Sequence, residues 1–469
     1  MKIEQLYTGC LSEAAYYIES NGEVAIIDPL RETQQYIDSA KKANSKIKFI
    51  FETHFHADFV SGHLDLAKNT GATIVYGPTA QTNFDCHVAK DGEIFELGNI
   101  KLKVLHTPGH TLESVTYLLL DENNKEYAIF TGDTLFIGDV GRPDLAIKSG
   151  LTEADLAAML YDSLNDKIKP LPDSVMVYPA HGAGSACGKN LSKETFDTLG
   201  NQKKINYGLL ATTKELFIAQ LLDGLKPPPQ YFAKNAAMNK NGYESFDSVL
   251  SKGLQPIESD KLKSVLSSED VLVLDTRSAA DFCIAHIPNS IFIGIDGGFA
   301  PWVGTLITDI KQKIIIVAEA GREAEVITRL SRVGYDNTLG YVKGGVEAWI
   351  EAGFDAASIE SIPAEKFQSI LAKDDTIPIV DVRKQTEFQS EHIISAVNKP
   401  LDWINESDYE FESSTPSYLH CQGGYRSVIA ASIWKKSGYN NLVNIEGGFK
   451  QLKEIGLPKT EYVCPNSLL

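Results

Sequence analysis

Three potential metal ligands fall within five residues: His54, His56 and Asp58 of Thr53-His54-Phe55-His56-Ala57-Asp58-Phe59, directly after the apolar run Ile47 to Phe51. Alternate residues of a strand point the same way, so where the strand gives out these side chains can converge on one side. In a chain of 469 residues with ten histidines, such alignment needs a reason. Three later segments carry the same chemistry. Leu105-His106-Thr107-Pro108-Gly109-His110-Thr111 ends a strand in a histidine held by a Pro-Gly turn. Phe130-Thr131-Gly132-Asp133-Thr134 ends another in a carboxylate, and Tyr178-Pro179-Ala180-His181-Gly182 follows a fourth. One histidine at one such place is usually structural; four strand ends together point to a shared metal. Phe59 carries a different message, because its side chain has no lone pair to give.

A second constellation lies near the C-terminus. The strand Ser417-Tyr418-Leu419-His420 leads into Cys421-Gln422-Gly423-Gly424-Tyr425-Arg426-Ser427 and then a helix, Val428 to Lys436. A cysteine opening a glycine-rich loop at a helix N-terminus sits among converging N–H groups and the positive end of the helix dipole. Those donors, with Arg426, are expected to lower the thiol pKa and to cradle an anionic or persulfurated sulfur.

The elements that must position these residues are legible in outline. About 150 residues per domain predicts roughly three domains. The hydrophobic share of 43% and charged share of 23% are those of a globular protein. No apolar run is long enough to span a membrane, and the polar, acidic start Met1 to Leu6 lacks the core of a secretory signal. A net charge of -18 argues against nucleic acid and anionic membranes as partners. The six cysteines, at 10, 86, 187, 283, 421 and 464, are too scattered for a disulfide framework, so free thiols in a reducing cytoplasm are expected.

Up to about residue 150, β-like runs (Val24–Ile27, Lys48–Phe51, Ala72–Tyr76, Ile100–Leu105, Val115–Leu120, Tyr127–Phe130) alternate with turns. Helical periodicity appears at Gln34–Lys42, Leu64–Lys68, Glu153–Leu164 and Asn206–Leu221. The pattern predicts an α/β fold in layers. Pro227-Pro228-Pro229 ends the last helix, and the polar stretch to about Ser251 reads as an ordered arm or linker.

Beyond residue 250 the chain repeats itself. Val271 to Arg277 recurs as Ile377 to Arg383, Phe282 with His286-Ile287 as Phe388 with His392-Ile393, and Gly344-Gly345 as Gly447-Gly448. The offset of about a hundred residues exceeds solenoid periods and implies two homologous α/β domains. The predicted domains are 1–250, 251–356 and 357–469. In the first repeat, the segment matching the Cys421 loop is Ala318-Glu319-Ala320-Gly321-Arg322-Glu323: an arginine without a cysteine, Cys283 lying in the wrong segment to replace it. That domain's expected work is structural.

The strand-end motifs resemble those of the metallo-β-lactamase superfamily over roughly residues 1–240. The resemblance implies an N-terminal αββα sandwich with metals at its strand ends. In the superfamily's two-metal branch, such as glyoxalase II, the residue after the aspartate of HxHxD is a histidine that binds the second metal. Phe59 cannot do so, which leaves Asp58 and His181 at most and favours a mononuclear site. Gly141-Arg142-Pro143-Asp144 resembles the Gly-Arg-Thr-Asp signature of the persulfide dioxygenases, a one-metal group. By that resemblance His54, His110 and Asp133 hold one Fe(2+) per chain, with His56 a supporting residue or a weak ligand; His181 supports them too, and Asp58 or a nearby carboxylate is expected to orient a ligand imidazole. Two histidines and a carboxylate are also the donor set of non-haem Fe(II) oxygenases. Arg142 is a candidate to bind an anionic group of the thiol carrier. Cys187 and Cys10, both in glycine-containing loops, are possible persulfide relays.

The Cys421 loop resembles the active-site loop of rhodanese sulfurtransferases. Asp381-Val382-Arg383 and Glu391-His392-Ile393 match further rhodanese landmarks and argue against the similar loops of phosphatases. Cys421 and Arg426 are then catalytic, with Gln422, Gly423, Gly424, Tyr425 and Ser427 lining the substrate site. Two rhodanese-like α/β domains complete the fold expected. The whole chain resembles persulfide dioxygenase–rhodanese fusions, whose substrates would be a low-molecular-weight persulfide, O2, and sulfite or thiosulfate, in sulfide detoxification; a homo-oligomer is expected. The alternatives are a glyoxalase II-like zinc thioester hydrolase fused to a sulfurtransferase, and a sulfur-binding or sensing protein with a vestigial metal site.

Overall fold

The computed structural model describes residues 1–145, 150–189, 191–406 and 415–464. Its contacts define two compact units, Met1–Ser248 with Ser331–Gly334, and Val249–Leu330 with Tyr335–Leu469.

In the N-terminal unit, one six-stranded sheet is built from β1 (Lys2–Thr8), β2 (Glu13–Ser20), β3 (Glu23–Ile27), β4 (Lys46–Phe51), β5 (Thr73–Tyr76) and β6 (His87–Val88), in that order. Helices α1 (Gln34–Lys42) and α2 (His63–Thr70) connect its parallel strands. The second sheet has the order β12-β11-β10-β9-β8-β7, from β7 (Ile94–Leu97), β8 (Ile100–His106), β9 (Val115–Leu120), β10 (Glu126–Gly132), β11 (Met176–Pro179) and β12 (Asp197–Thr198). Helix α3 (Glu153–Ser163) precedes β11; α4 (Leu199–Ile205), α5 (Tyr207–Leu210), α6 (Lys214–Leu222), α7 (Phe232–Asn241) and α8 (Phe246–Gly253) follow β12.

Alternation makes the layers. On β8, Leu102 and Val104 are buried while Lys101 and Lys103 are only partly so, the pattern of a strand with one face inward. Tyr16, Ile27, Phe51 and Val75 of the first sheet meet Leu102, Tyr117, Leu119 and Phe130 of the second in one core. Each such side chain contributes roughly 1.5–3 kcal/mol by leaving water. The outer face of the first sheet packs with Tyr36, Ala40 and Leu66 of its helices, that of the second with Leu156-neighbouring Ala157, Leu160 and Phe217. The result is an αββα sandwich. Because β9 runs antiparallel to both β8 and β10, and β10 parallel to β11, the chain leaves β8, β10 and β11 at one edge. That edge carries His110, Asp133 and His181.

The expected helix Asn206–Leu221 is two: Asn206 accepts a hydrogen bond from the Gly208 N–H and Thr213 one from the Leu216 N–H, each opening its own helix. After Pro227-Pro228-Pro229 the chain is not a linker but an ordered arm of two helices, α7 and α8, with Asn235 and Asn239 fully buried.

The C-terminal unit holds two five-stranded parallel sheets. The first, β13-β17-β16-β14-β15, comprises β13 (Pro256–Ile257), β14 (Val271–Asp275), β15 (Ile291–Phe292), β16 (Lys313–Val317) and β17 (Thr338–Val342). Among them run α9 (Ser259–Ser268), α10 (Ala279–Ile284), α11 (Phe299–Leu306) and α12 (Glu323–Arg332), with α13 (Gly345–Glu351) after β17. The second, β18-β22-β21-β19-β20, has β18 (Glu360–Ile362), β19 (Ile379–Asp381), β20 (Ala396–Asn398), β21 (Ser417–His420) and β22 (Leu442–Ile445). Its helices are α14 (Ala364–Leu371), α15 (Gln385–Ser390), α16 (Tyr425–Lys436) and α17 (Gly448–Glu454). The two strand orders are the same, and the repeat extends to single contacts: Arg277 grips Asp275 and the Ala285 carbonyl as Arg383 grips Asp381 and the Glu391 carbonyl. Among the described residues no helix is long and apolar enough to cross a membrane.

Candidate functional site

In the N-terminal unit the site is assembled from loops that leave strand ends. Asp28, just beyond β3, accepts from the Thr53 N–H with Oδ1 (2.8 Å) and from the Thr53 hydroxyl with Oδ2 (2.8 Å). Having donated its only proton, the Thr53 hydroxyl can only accept from His54 Nδ1, 3.0 Å away. His54 therefore carries its proton on Nδ1 and presents Nε2 as a lone pair. His110 is set the same way: its Nδ1 lies 2.8 Å from the Arg142 carbonyl, an acceptor only. Asp133 Oδ1 is taken by His181 Nδ1 at 2.7 Å, which leaves Oδ2. Gly132 brings this carboxylate in: at φ +52 it lies so close to Thr53 that a Cβ would come within 2.5 Å of the hydroxyl.

Three buried atoms have no hydrogen-bond partner at the centre of this arrangement: His54 Nε2, His110 Nε2 and Asp133 Oδ2. All ligand atoms of the three residues lie within 4.8 Å of one another, with Asp133 Oδ2 at 3.8 Å from His54 Nε2 and 3.3 Å from His110 Nε2. Orphaned buried polar atoms are costly. Their convergence, and the two-histidine, one-carboxylate donor set, fit a divalent metal. Burial works to raise the Asp133 pKa but is overcome by His181, His54 and His110, so the carboxylate stays ionised. Burial pushes His54 well down, with His56 adding to it, so the imidazole is neutral. Both are the states a metal requires.

The structure sorts the remaining expected residues. His56 faces away from the orphaned trio: its Nε2 is 3.0 Å from Asp28 Oδ1 and 3.5 Å from Glu52 Oε2. The Nδ1 atoms of His54 and His110 face Thr53 and the Arg142 carbonyl rather than a carboxylate, and Asp58 Oδ2 lies 2.8 Å from His181 Nε2. Between Asp133 and Asp58, and against the effect of burial, His181 is held protonated well above the usual range. Cys187 joins Asp58 and His181 in one buried group, a third donor where the sequence had offered two. Burial, then Asp58 and Asp133, raise its thiol pKa. Phe59 is fully buried against the His56 ring, with centroids 4.4 Å apart. Cys10 lies between β1 and β2, outside the three ligand groups.

Arg142 is held in an ion pair. Its guanidinium forms a bidentate pair with Asp144 (2.6 and 2.6 Å) and donates to the Ala186 and Lys226 carbonyls. Four of its five N–H donors are thus taken within the protein, and its main chain holds His110 through the carbonyl and the Cys187 carbonyl through the N–H. Sequence reasoning also missed Asn239 of α7. Buried, it donates to the His56 and Phe59 carbonyls (2.7 and 2.8 Å) and accepts from the Ser61 N–H (2.9 Å), fastening the HxHxD loop. The Asn239-Lys240-Asn241-Gly242 run reads as a turn, so no signal marked it.

In the C-terminal unit, Cys421 leaves β21 and the loop closes at α16. Gly424, at φ +99, directs its N–H to Cys421 Sγ at 3.1 Å, and Ser427 Oγ is 3.6 Å from the same sulfur. Asn444 accepts from Ser427 at 2.8 Å and is itself fixed by Ser361. The Phe449 N–H, on α17, holds the Cys421 carbonyl at 2.7 Å. Arg426 is paired bidentately with Glu387 (2.6 and 2.9 Å), a partner the sequence had not indicated. Gln422 and Gly423 are exposed, whereas Cys421 is buried beneath them. The Tyr425 side chain turns out of the loop to another partner.

The comparisons with known proteins fall in line with this architecture. Residues 8–181 match the metallo-beta-lactamase superfamily, and residues 258–352 and 363–455 each match the rhodanese-like domain. A crystal structure of a metallo-beta-lactamase from Staphylococcus aureus superposes with a TM-score of 0.64 and 32% identity, covering 73% of this chain and 98% of that one. The cytoplasmic hydroxyacylglutathione hydrolase of Arabidopsis thaliana is 33% identical over 39% of this chain and 67% of its own. The mitochondrial persulfide dioxygenase ETHE1 of Bos taurus is 29% identical over 44% of this chain and 74% of its own. The chain belongs to the metallo-beta-lactamase superfamily and carries two rhodanese-like domains behind that fold. Such a composition indicates a metal-binding enzyme, either a hydrolase or a dioxygenase joined to a sulfurtransferase.

Proposed function

We propose that the protein is a non-haem Fe(II) persulfide dioxygenase coupled to a rhodanese sulfurtransferase, with domains 1–250, 251–356 and 357–469, acting in sulfide detoxification in the cytoplasm. The overall reaction is a persulfide RSSH, dioxygen and water giving the thiol RSH, sulfite and two protons. A Cys421 persulfide then gives its outer sulfur to sulfite, leaving the Cys421 thiolate and thiosulfate, or runs in reverse.

The observation that carries this reading is the orphaned trio His54, His110 and Asp133 on the same chain as a cysteine in a rhodanese loop. Iron held there would supply redox chemistry and open coordination positions for the two substrates. Thr53 and the Arg142 carbonyl keep both imidazoles in the ligating tautomer. His181, protonated between two carboxylates, and the buried Cys187 lie in one group with Asp58, and Cys187 would hold or relay sulfur there. At the other site the Gly424 N–H and Ser427 surround the sulfur that Cys421 carries.

Metal analysis of anaerobically purified protein, with persulfide-dependent O2 uptake and sulfite measured on the same sample, tests the reading. One iron per chain and sulfite formation are expected, and His110→Ala should lower iron content and O2 uptake at least about 100-fold. Equal uptake by parent and variant would leave a sulfur-binding protein. The second reading, a zinc thioester hydrolase, is favoured by the Asp58, His181 and Cys187 group, which offers a second metal three donors, and by the hydrolase relatives. It would appear as two zinc per chain, thioester cleavage and no persulfide-dependent O2 uptake.

A further inference from the structure

The middle domain has no cysteine in the segment that matches the Cys421 loop, yet one of its loops is shaped around a residue of the Cys421 loop. Tyr425 is the first residue of α16, directly after the Gly424 whose N–H meets Cys421 Sγ. Its ring leaves its own domain and enters the β15–α11 loop, Gly294-Ile295-Asp296-Gly297-Gly298. The hydroxyl donates to the Gly294 carbonyl at 2.7 Å, and the ring meets Phe292 edge-on with centroids 5.8 Å apart. Gly297 lies beneath the ring so closely that a Cβ there would stand 2.2 Å from Cζ. No residue but glycine leaves room for the tyrosine. Seven residues along α16, the Ser432 hydroxyl receives the Phe292 N–H at 3.0 Å, a second tie between the same two elements.

The receiving loop is itself held by the arginines of the vestigial site. Arg322, from the segment that matches the Cys421 loop, forms a bidentate pair with Asp296 (2.8 and 2.9 Å), next to Gly297. Arg329, two turns on, donates to the Ile295 carbonyl at 2.8 Å. Asp275 and Thr276 hold the other side: Ile293 donates to the Asp275 carbonyl and Ile295 to the Thr276 carbonyl.

We infer that the middle domain is a positioning element for the sulfur carrier: the slot at Gly294 and Gly297, braced by Arg322 and Arg329, fixes Tyr425 and thereby the N-terminal turn of α16 that presents the Gly424 N–H to Cys421. Tyr425 and Gly297 are positioning residues; neither side chain touches the sulfur. The inference concerns the same loop as the sulfurtransferase reading above and rests on it only where turnover is concerned.

The test uses the full chain with Gly297→Val, which fills the slot, and Tyr425→Phe, which removes one hydrogen bond and no volume. Two quantities are read at fixed pH: the rate at which iodoacetamide alkylates Cys421, followed by peptide mass, and the transfer of sulfur from thiosulfate to cyanide, giving sulfite and thiocyanate. Gly297→Val is expected to slow both about 10-fold or more, and Tyr425→Phe about 2- to 5-fold, with the loss in kcat and little change in the KM for thiosulfate. A purely structural contact would lower the melting temperature and leave the alkylation rate of the folded protein unchanged. Parental alkylation rates in both variants would overturn the inference. Should the parent transfer no sulfur, the sulfurtransferase reading falls while the alkylation rates still decide this one. Should Gly297→Val not fold, Tyr425→Phe decides alone.

Discussion

Arg142 is buried between Asp144 and two carbonyl oxygens, while its own carbonyl holds the His110 imidazole. Removing the guanidinium would leave the Asp144 carboxylate buried without its cation, at a cost of about 3–5 kcal/mol. Arg142→Ala is therefore expected to lower the melting temperature of the N-terminal unit by of order 10 °C, read by calorimetry, and to lower metal content. The KM for persulfide of the fraction that stays loaded should change less than about 2-fold. A raised KM with unchanged stability would restore the anion clamp that the Gly-Arg-Pro-Asp motif alone implies. Thr53 makes a finer point. It gives its proton to Asp28 and so dictates where His54 keeps its own. Thr53→Val removes that acceptor without changing volume, and a 10- to 100-fold weaker metal affinity is expected by competition with a chelator. Thr53→Ser, which keeps the hydroxyl, should retain the parental value. If Val and Ser behave alike, the tautomer is set elsewhere.

Elements explain how much of this could be read beforehand. Helix α1 falls on Gln34–Lys42 as the periodicity predicts, and β9 on Val115–Leu120, because local pattern and tertiary burial agree there. The strand-end candidates could be singled out because each follows a strand marked by its apolar run, but the choice of His54, His110 and Asp133 among them came from the family resemblance. Their supports could not be singled out. Asn239 reaches the HxHxD loop from α7, far along the chain, and Glu387 reaches Arg426 from α15; contacts at such separations leave no local trace. One element also carries a pH dependence. His286, just beyond α10, stacks on Phe282 with ring centroids 3.9 Å apart and has its Nδ1 proton held by the Phe282 carbonyl. Burial, helped by Lys435 and Arg277 against that carbonyl, pushes its pKa down to about 4. An unfolded histidine titrates near 6.5, so between about pH 6.5 and 4 the unfolded chain binds the proton and the folded one does not. Stability is fully present above that window and is lost as pH falls through it, by of order 2 kcal/mol at the acid end. All four tryptophans, Trp302, Trp349, Trp403 and Trp434, lie in the C-terminal unit, so fluorescence-monitored urea unfolding at pH 7 and pH 4.5 reads that unit alone. His286→Gln should flatten the difference; an unchanged slope would assign it to other groups.

At the scale of the molecule, two centres of unlike chemistry share one chain, and the question is what passes between them. In the N-terminal site His54, His110 and Asp133 are buried, and the nearby Cys187 thiol is held neutral by burial and by Asp58 and Asp133. Cys421 is likewise buried, under the exposed Gln422 and Gly423. On the proposed function, a diffusible species, sulfite, is the link between them. That gives a direct expectation. His110→Ala alone should make no sulfite, and Cys421→Ser alone should make sulfite from persulfide and O2 but no thiosulfate. Mixed at equal concentration, the two variants should regain thiosulfate at a rate that rises with total protein, because sulfite made on one chain meets the Cys421 persulfide of another. The yield should approach the parental one at saturating persulfide. If the mixture stays at the level of the separate variants while each retains its own half-reaction, sulfur is handed over within one chain, and fusing the two centres serves transfer itself rather than joint expression of two independent catalysts.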